Sequence, residues 1–198
     1  RWALGAAISH DGGFYFQRAY KGPILERYKN EAYHVGASDV LYENGVWKMW
    51  YNSGAGFKLV NGKPEYKLTI KYATSKNGLD WNRPNVVCLK PKTEDEVIGR
   101  PSVIKENGKY KMWYSRRSIS DFRSNKNASY RAGYAESENG VDWIRLDGKI
   151  KIDVSKNANE WDFQMIAYPY IIKINNKLFM FYNGNDFGRT GVGYAVYE

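Results

Sequence analysis

The sequence of 198 residues has one cysteine, two histidines and no apolar run near the roughly 20 residues a membrane helix needs. The lone cysteine, Cys88, excludes an internal disulfide, and beside Val86, Val87 and Leu89 it reads as a small buried hydrophobe rather than a nucleophile. Helical periodicity of any length is also missing, which argues against a bundle or an α/β fold. The chain opens on Arg1-Trp2-Ala3, with neither an initiator Met nor a signal-peptide pattern; a targeting segment before it stays open, localisation is left unknown, and a cytoplasmic setting is the favoured expectation. Acidic residues are the scarcer sign: 21 against 30 basic ones, for a formal net charge of +9. The excess does not make a nucleic-acid protein. Its Lys and Arg residues are scattered, many at alternate strand positions such as Lys48, Lys109 and Lys111, with no basic run or binding motif. An anionic or phosphorylated small ligand suits this charge better than nucleic acid or a membrane.

What the chain has instead is aromatic residues and repetition. Seven Trp and seventeen Tyr favour a pleated, half-buried surface. "ENGVWKMWY" at 43–51 returns as "ENGKYKMWY" at 106–114 and, more loosely, as "INNKLFMFY" at 174–182. A second motif runs beside it, "IKYATSKNGLDWNR" at 70–83 and "AGYAESENGVDWIR" at 132–145. Partial copies are "LGAAISHDGGFYFQR" at 4–18 and "GVGYAVYE" at 191–198. The spacing is 63 residues from Val40 to Val103 and 68 from Val103 to Ile171, the signature of a repeat architecture.

Each unit holds four strand-like runs, near 36–42, 46–52, 68–74 and 79–83 in the first complete copy. Asn44-Gly45 joins the first pair and Asn77-Gly78 the second, because tight hairpins need residues that accept positive φ. Further strands are expected near 99–105, 109–115, 168–174 and 178–183. Four antiparallel strands repeated in tandem describe the blades of a β-propeller. The division is a partial blade at 1–30, blades at 31–95 and 96–160, and a partial blade at 161–198. Propellers close with four or more blades, so the ring is expected to be incomplete, lacking an N-terminal segment or completed by another chain. Trp50, Tyr51, Trp113, Tyr114, Phe181 and Tyr182 are expected to pack between blades.

In such a ring, ligands meet the starts of first strands and the loops after second strands. The starts read "HVGASDV", "VIGRPSV" and "MIAYPYI", and the loops span 53–66, 115–130 and 183–191. These loops are long and unlike one another, whereas the opposite turns are short and alike, so function is expected at the loop mouth. Candidate acids and bases are Asp39, Glu96 and Asp162, with Glu160 beside them. Each is otherwise a strand cap or a loop charge. Candidate substrate-binding residues are His34, Arg100, Arg116, Tyr168, Asn183, Asn185 and Arg189. His34 acts as base or phosphate contact, or is a satisfied structural histidine; Arg100 needs an anionic partner or ligand, or else ties blades together. No metal or cofactor is expected.

At "RPSVIKENGKYKMWYS", "YAESENGVDWIR" and "YPYIIKINNKLFMFYNGN" the sequence resembles the five-bladed β-propeller glycosidase superfamily of arabinanases, xylosidases, invertases and mannoside phosphorylases. The resemblance extends in particular to glycosidase-like propellers of bacterial polysaccharide loci. It implies a carbohydrate or sugar-phosphate ligand, and acids at the inner-strand starts, often as Asp-Pro. Here that slot holds Ala37, Arg100 and Tyr168, with Asp39 two residues along and on the face of Ala37. Acetal hydrolysis needs two facing carboxylates, one to protonate the leaving oxygen and one to attack or to activate water. Three functions remain in view: an enzyme that hydrolyses or phosphorolyses a glycosidic bond, a non-catalytic carbohydrate-binding propeller, and an interaction scaffold.

Overall fold

A computed structural model describes residues 2–197, with the side chain of residue 197 left aside. The chain is all-β, and its sheets are antiparallel meanders taken in chain order. A short N-terminal pair, β1 (Ala7–Ile8) and β2 (Gln17–Arg18), comes first. The first four-stranded sheet is β3 (Val35–Glu43), β4 (Val46–Val60), β5 (Lys63–Ser75) and β6 (Val87–Leu89). The second is β7 (Glu96–Glu106), β8 (Lys109–Ser118), β9 (Arg131–Ser137) and β10 (Ile144–Arg145). The third holds β11 (Ala167–Ile174), β12 (Lys177–Asn183) and β13 (Val192–Tyr197).

Most of the expected strands form where the alternation and the Asn-Gly turns put them. Two expectations are corrected. Residues 53–66, read as a loop, are mostly strand: β4 and β5 run on beyond a bulge at Gly54 and Gly56, to a turn at Asn61-Gly62. Residues 79–83, read as a fourth strand, make only an isolated bridge between Thr74 and Asn82, and the fourth strand is Val87–Leu89. The chain needs the intervening residues for a compact turn. Asn77 Oδ1 accepts from Leu79 N and Asp80 N at 2.9 Å, Ser75 Oγ accepts from Gly78 N, and the Trp81 indole donates to Gly78 O at 3.1 Å. Ser137, Asn139, Gly140 and Trp143 repeat the arrangement bond for bond. The motif is therefore a side-chain-stabilised turn before it is a strand.

Consecutive sheets pack through their repeated aromatics. Trp50, Ile70, Tyr72, Cys88 and Leu89 of the first sheet meet Ile98, Val103, Tyr110, Met112 and Ala135 of the second. Trp50 is fully buried, and its indole donates to Gly140 O at 2.7 Å across the interface. Burial pushes the Cys88 thiol up to about 12, so it is a neutral thiol in the core. On the other face of the first sheet, Val35, Met49, Tyr51 and Ala73 cluster with Leu25. Tyr51, Tyr114 and Tyr182 are buried as expected, whereas Trp113 is half-buried and Phe181 is exposed. Phe181 shares the outer face of the third sheet with Tyr170, Tyr194 and Val196, all exposed.

Buried charge is fastened in the same repeated way. Glu31 accepts from the Tyr51 hydroxyl and the Arg83 guanidinium, both at 2.9 Å. Asp147 accepts from the Tyr114 hydroxyl at 2.5 Å and from Arg145 at 2.8 Å. Burial opposes ionisation of Asp147, but the Tyr114 hydroxyl, Lys92, the Tyr134 N–H and Arg145 outweigh it and bring its carboxyl down to about 2. Trp50→Ala is expected to cost about 3–5 kcal/mol, from the lost ring and the cavity left behind. Trp50→Phe, which keeps a ring but loses the bond to Gly140, is expected to cost less. Urea unfolding of both variants measures the difference; equal stability to the parent chain would contradict the packing described.

Candidate functional site

The inner strands β3, β7 and β11 each break their register, at Ala37, at Arg100-Pro101 and at Tyr168-Pro169, and Ala37, Arg100 and Tyr168 have φ of 40°, 53° and 59°. Left-handed φ at a non-glycine residue is strained, and it persists only where surrounding bonds over-determine it. The bonds are present for two of the three. Arg100 N donates to Asn52 Oδ1 at 2.8 Å, and Tyr168 N donates to Ser115 Oγ at 2.9 Å, each from one sheet to the preceding one. Asn52 and Ser115 occupy equivalent places within β4 and β8, each just after the repeated tyrosine. Gly99 must be glycine for this contact, since a Cβ there would stand 2.8 Å from Asn52 Nδ2. Just beyond each kink, Val103 N donates to Asp39 Oδ2 at 2.6 Å and Ile171 N to Ser102 Oγ at 2.9 Å.

The kink turns Arg100 and Tyr168 toward each other. The Arg100 guanidinium lies 4.2 Å above the Tyr168 ring, in cation–π range. Tyr168 stacks on Phe187 at 6.4 Å and meets Tyr130 edge-on at 5.4 Å, and Tyr130 meets Phe187 at 5.8 Å. Burial, then the neighbouring Tyr130, raises the Tyr168 phenol above its ordinary range, so it is a neutral donor. Arg117 donates to the Tyr130 hydroxyl at 3.0 Å and to Glu65 at 3.1 Å, and its guanidinium covers Phe122 at 3.7 Å. Arg123 also pairs with the buried Glu65. Arg100 itself is exposed and has no carboxylate partner among the described residues. The result is an aromatic floor with one uncommitted guanidinium upon it.

Of the expected site residues, the structure brings Arg100 and Tyr168 into contact and sets Asn183 beside them, its Nδ2 donating to Phe187 O at 2.8 Å. The three carboxylates are occupied elsewhere. Asp39 accepts from Val40 N and Val103 N, so it serves as an inter-sheet tie; burial pushes its carboxyl up while both N–H bonds pull it down. The pairing of Asp39 with Arg100 does not form. Glu96 takes two bonds from Arg145 at 2.7 and 2.8 Å; burial opposes its ionisation, but these bonds and the Lys92 N–H hold its carboxyl low. Asp162 accepts from the Tyr182 hydroxyl at 3.2 Å. Arg116 lies across from Arg131 in the sheet, its Nε reaching Ala132 O at 3.4 Å. Asn185 is bonded to loop backbone at Gln164 and Glu160, and Arg189 pairs with Asp186.

His34 stands apart, buried between Trp2 at 5.7 Å and Tyr66 at 5.4 Å, with Nδ1 lacking a hydrogen-bond partner. Sequence reasoning did not single out Tyr130, Phe187, Arg117 and Glu65. The one signal was that all four lie in the long variable segments 53–66, 115–130 and 183–191. No group of His, Cys, Asp and Glu among the described residues is arranged to hold a metal ion.

No protein-family model matches the sequence. An uncharacterized protein of Mycobacterium tuberculosis is 33% identical over 196 residues, 98% of this chain and 61% of that protein's length. The chain thus spans about three fifths of that relative. A 1,2-beta-oligomannan phosphorylase of Thermoanaerobacter is 29% identical over 100 residues, 48% of this chain and 32% of its own. Among solved structures, a protein described as an RGII complex superposes with a TM-score of 0.71 at 22% identity, over 92% of this chain and 52% of its own. A family 117 glycoside hydrolase of Zobellia galactanivorans does so with 0.67 at 16%, over 98% and 57%. The fold is all-β, built of several antiparallel sheets, and it resembles solved glycoside hydrolases whose folds are propellers.

Burial holds the His34 imidazole below its ordinary pKa. The unfolded state therefore takes up this proton more readily than the native state does, and stability is lost as pH falls below the unfolded value of about 6.5. His34→Phe is expected to reduce the fall in urea midpoint between pH 7 and pH 5. An unchanged pH dependence would mean that His34 is accessible to protons in the native state.

Proposed function

We propose that the Arg100–Tyr168 surface binds an anionic carbohydrate, carrying a phosphate or a uronate carboxylate, in a protein that acts on a glycosidic bond. The observation that carries this reading is the exposed Arg100 guanidinium, stacked on Tyr168 and without a carboxylate partner among the described residues. A guanidinium offers two parallel N–H bonds to a carboxylate or phosphate, and the neighbouring rings suit the apolar face of a sugar. The strained φ of Arg100 costs roughly 1–3 kcal/mol, which is consistent with aiming a functional side chain.

Phosphorolysis fits this surface better than two-carboxylate hydrolysis. Asp39, Glu96 and Asp162 each serve the framework, so none is a free carboxylate for the paired arrangement of an ordinary glycosidase. In phosphorolysis a phosphate oxygen attacks the anomeric carbon while an acid protonates the departing oxygen. Arg100 would hold the phosphate, and the acid would come from outside these three residues. The similarity to an oligomannan phosphorylase supports that version. The second reading, a carbohydrate-binding propeller without catalysis, draws on the same commitment of the carboxylates. In either case the sheets are blades of a ring, five in the family resembled, of which this chain supplies an arc; the exposed outer face of the third sheet supports that view.

The test is binding of inorganic phosphate, sugar phosphates and uronate oligosaccharides by calorimetry, with thermal stability measured alongside. Arg100→Ala is expected to abolish binding, and Arg100→Lys to weaken it by ~10-fold or more, because charge remains while the planar fork is lost. If both variants bind normally while stability falls, Arg100 is scaffold and the reading fails.

A further inference from the structure

A cavity of about 360 Å³ lies in the second sheet, where the end of β8 and the start of β9 meet the segment leading into β7. Arg100, Tyr168 and Phe187 do not line it, so it is a different place from the Arg100–Tyr168 surface. Six charged side chains do line it, and five are answered by an opposite charge. Lys92 pairs with Asp147, Asp95 with Lys58, Glu96 with Arg145, Arg117 with Glu65 and Arg131 with Asp153. Arg116 is the sixth, and it has no carboxylate partner among the described residues. Its Nε reaches Ala132 O at 3.4 Å, and its two terminal nitrogens donate to nothing among the described residues.

The surroundings make that freedom costly. Arg116 is half-buried and stands directly opposite Arg131 in the β8–β9 ladder, where like charges repel. Arg131 cannot turn away, because its guanidinium also donates to the carbonyls of Tyr130, Gln164 and Lys126. Burial lowers the pKa of Arg131, Asp153 raises it, and the neighbouring Arg116 lowers it again. Ser129 lines the same cavity, is only 4% exposed, and has a buried hydroxyl with no hydrogen-bond partner. A buried hydroxyl left unpaired is unfavourable, and so is a crowded guanidinium without an anion; one ligand would answer both.

We infer that this cavity binds a sulfate ester on a small carrier such as a sugar, with Arg116 gripping two ester oxygens and the Ser129 hydroxyl donating to the third. The number of unanswered groups selects the ligand. One free guanidinium matches one negative charge, which is what a sulfate monoester carries. A phosphate monoester carries about −1.5 to −2 at pH 7, and the excess would face Asp95 and Glu96 in the same cavity. A carboxylate has the right charge but only two oxygens. The guanidinium fork takes both and leaves Ser129 unpaired. The volume is that of a small-molecule pocket, about 300–1,000 Å³, so there is room beside the ester for its carrier. The inference is independent of the Arg100 reading, since no residue of that contact takes part.

The experiment titrates the 198-residue chain with glucose 6-sulfate, glucose 6-phosphate and glucuronate. Amide shifts of Ser129, Arg131 and Ala132 report this cavity, and those of Arg100 and Tyr168 report the other surface. Glucose 6-sulfate is expected to give saturable shifts at the first set. The phosphate and the uronate are expected to act there at least ~10-fold more weakly, the worth of one charge-assisted bond. Arg116→Ala is expected to abolish the sulfate response, Arg116→Lys to weaken it, and Ser129→Ala to weaken it by about 10-fold. Ser129→Ala removes a single oxygen, so it decides the matter even where an Arg116 variant does not fold. Shifts that do not saturate, equal responses to all three ligands, or shifts confined to Arg100 and Tyr168 would each overturn the inference. So would a sulfate response indifferent to Ser129→Ala.

Discussion

The hydrogen bonds from kinked inner strands to side chains of the preceding sheet are the constraint on which the rest depends. Arg100 N to Asn52 and Tyr168 N to Ser115 each satisfy an amide that leaves its own ladder at the bulge. An amide left unsatisfied there would cost about 1–3 kcal/mol on top of the strain of left-handed φ. With the bonds made, each sheet is keyed to its predecessor in position, and Arg100 is held over the Tyr168 ring. Scaffold and candidate site are thus built by one device. Asp39 and Ser102 repeat the keying just beyond the kink, which commits the Asp39 carboxylate to architecture.

Packing and charge follow from that keying. Once the inner strands are set, Trp50 falls against Tyr110 and Trp143, and the turn at Asn139 is close enough for Gly140 to accept the Trp50 indole. Arg83 and Arg145 reach carboxylates that also bind the buried Tyr51 and Tyr114 hydroxyls. Breaking such a pair from one side leaves a buried charge at about 3–5 kcal/mol, so these groups are fixed in place whatever net stability the pair adds. Against this occupied framework Arg100 is conspicuous, because it is held by its backbone while its charge stays free.

Local features were legible in the sequence, and distant ones were not. The Asn-Gly turns, the alternation of "KMWY" and the two Asn-Gly-x-Asp-Trp copies all act within a few residues, and the strands lie close to where they imply. The hairpin through Asn61-Gly62 is hidden because Gly54, Gly56 and Gly62 look like loop punctuation, while what makes it strand is the cross-strand pairing of β4 with β5 beyond the bulge. The roles of Asp39 and Glu96 were hidden for a similar reason: their decisive partners, Val103 and Arg145, are 64 and 49 residues away. Arg100 and Tyr168 stand out because each precedes a proline, in the slot where the resemblance to propeller glycosidases implies an acid. Their left-handed φ had no comparable signal, since neither is glycine or asparagine.

The central claim is that Asn52 and Ser115 hold the kinks that aim the site. Amide hydrogen exchange of the parent chain and of Asn52→Ala and Ser115→Ala measures it most directly. The Arg100 and Tyr168 amides are expected to exchange slowly in the parent chain although they sit at bulges. Asn52→Ala should then release Arg100 alone, and Ser115→Ala should release Tyr168 alone, with core amides such as Met112 still protected. Fast exchange of both amides in the parent chain, or no change in either variant, would contradict the account.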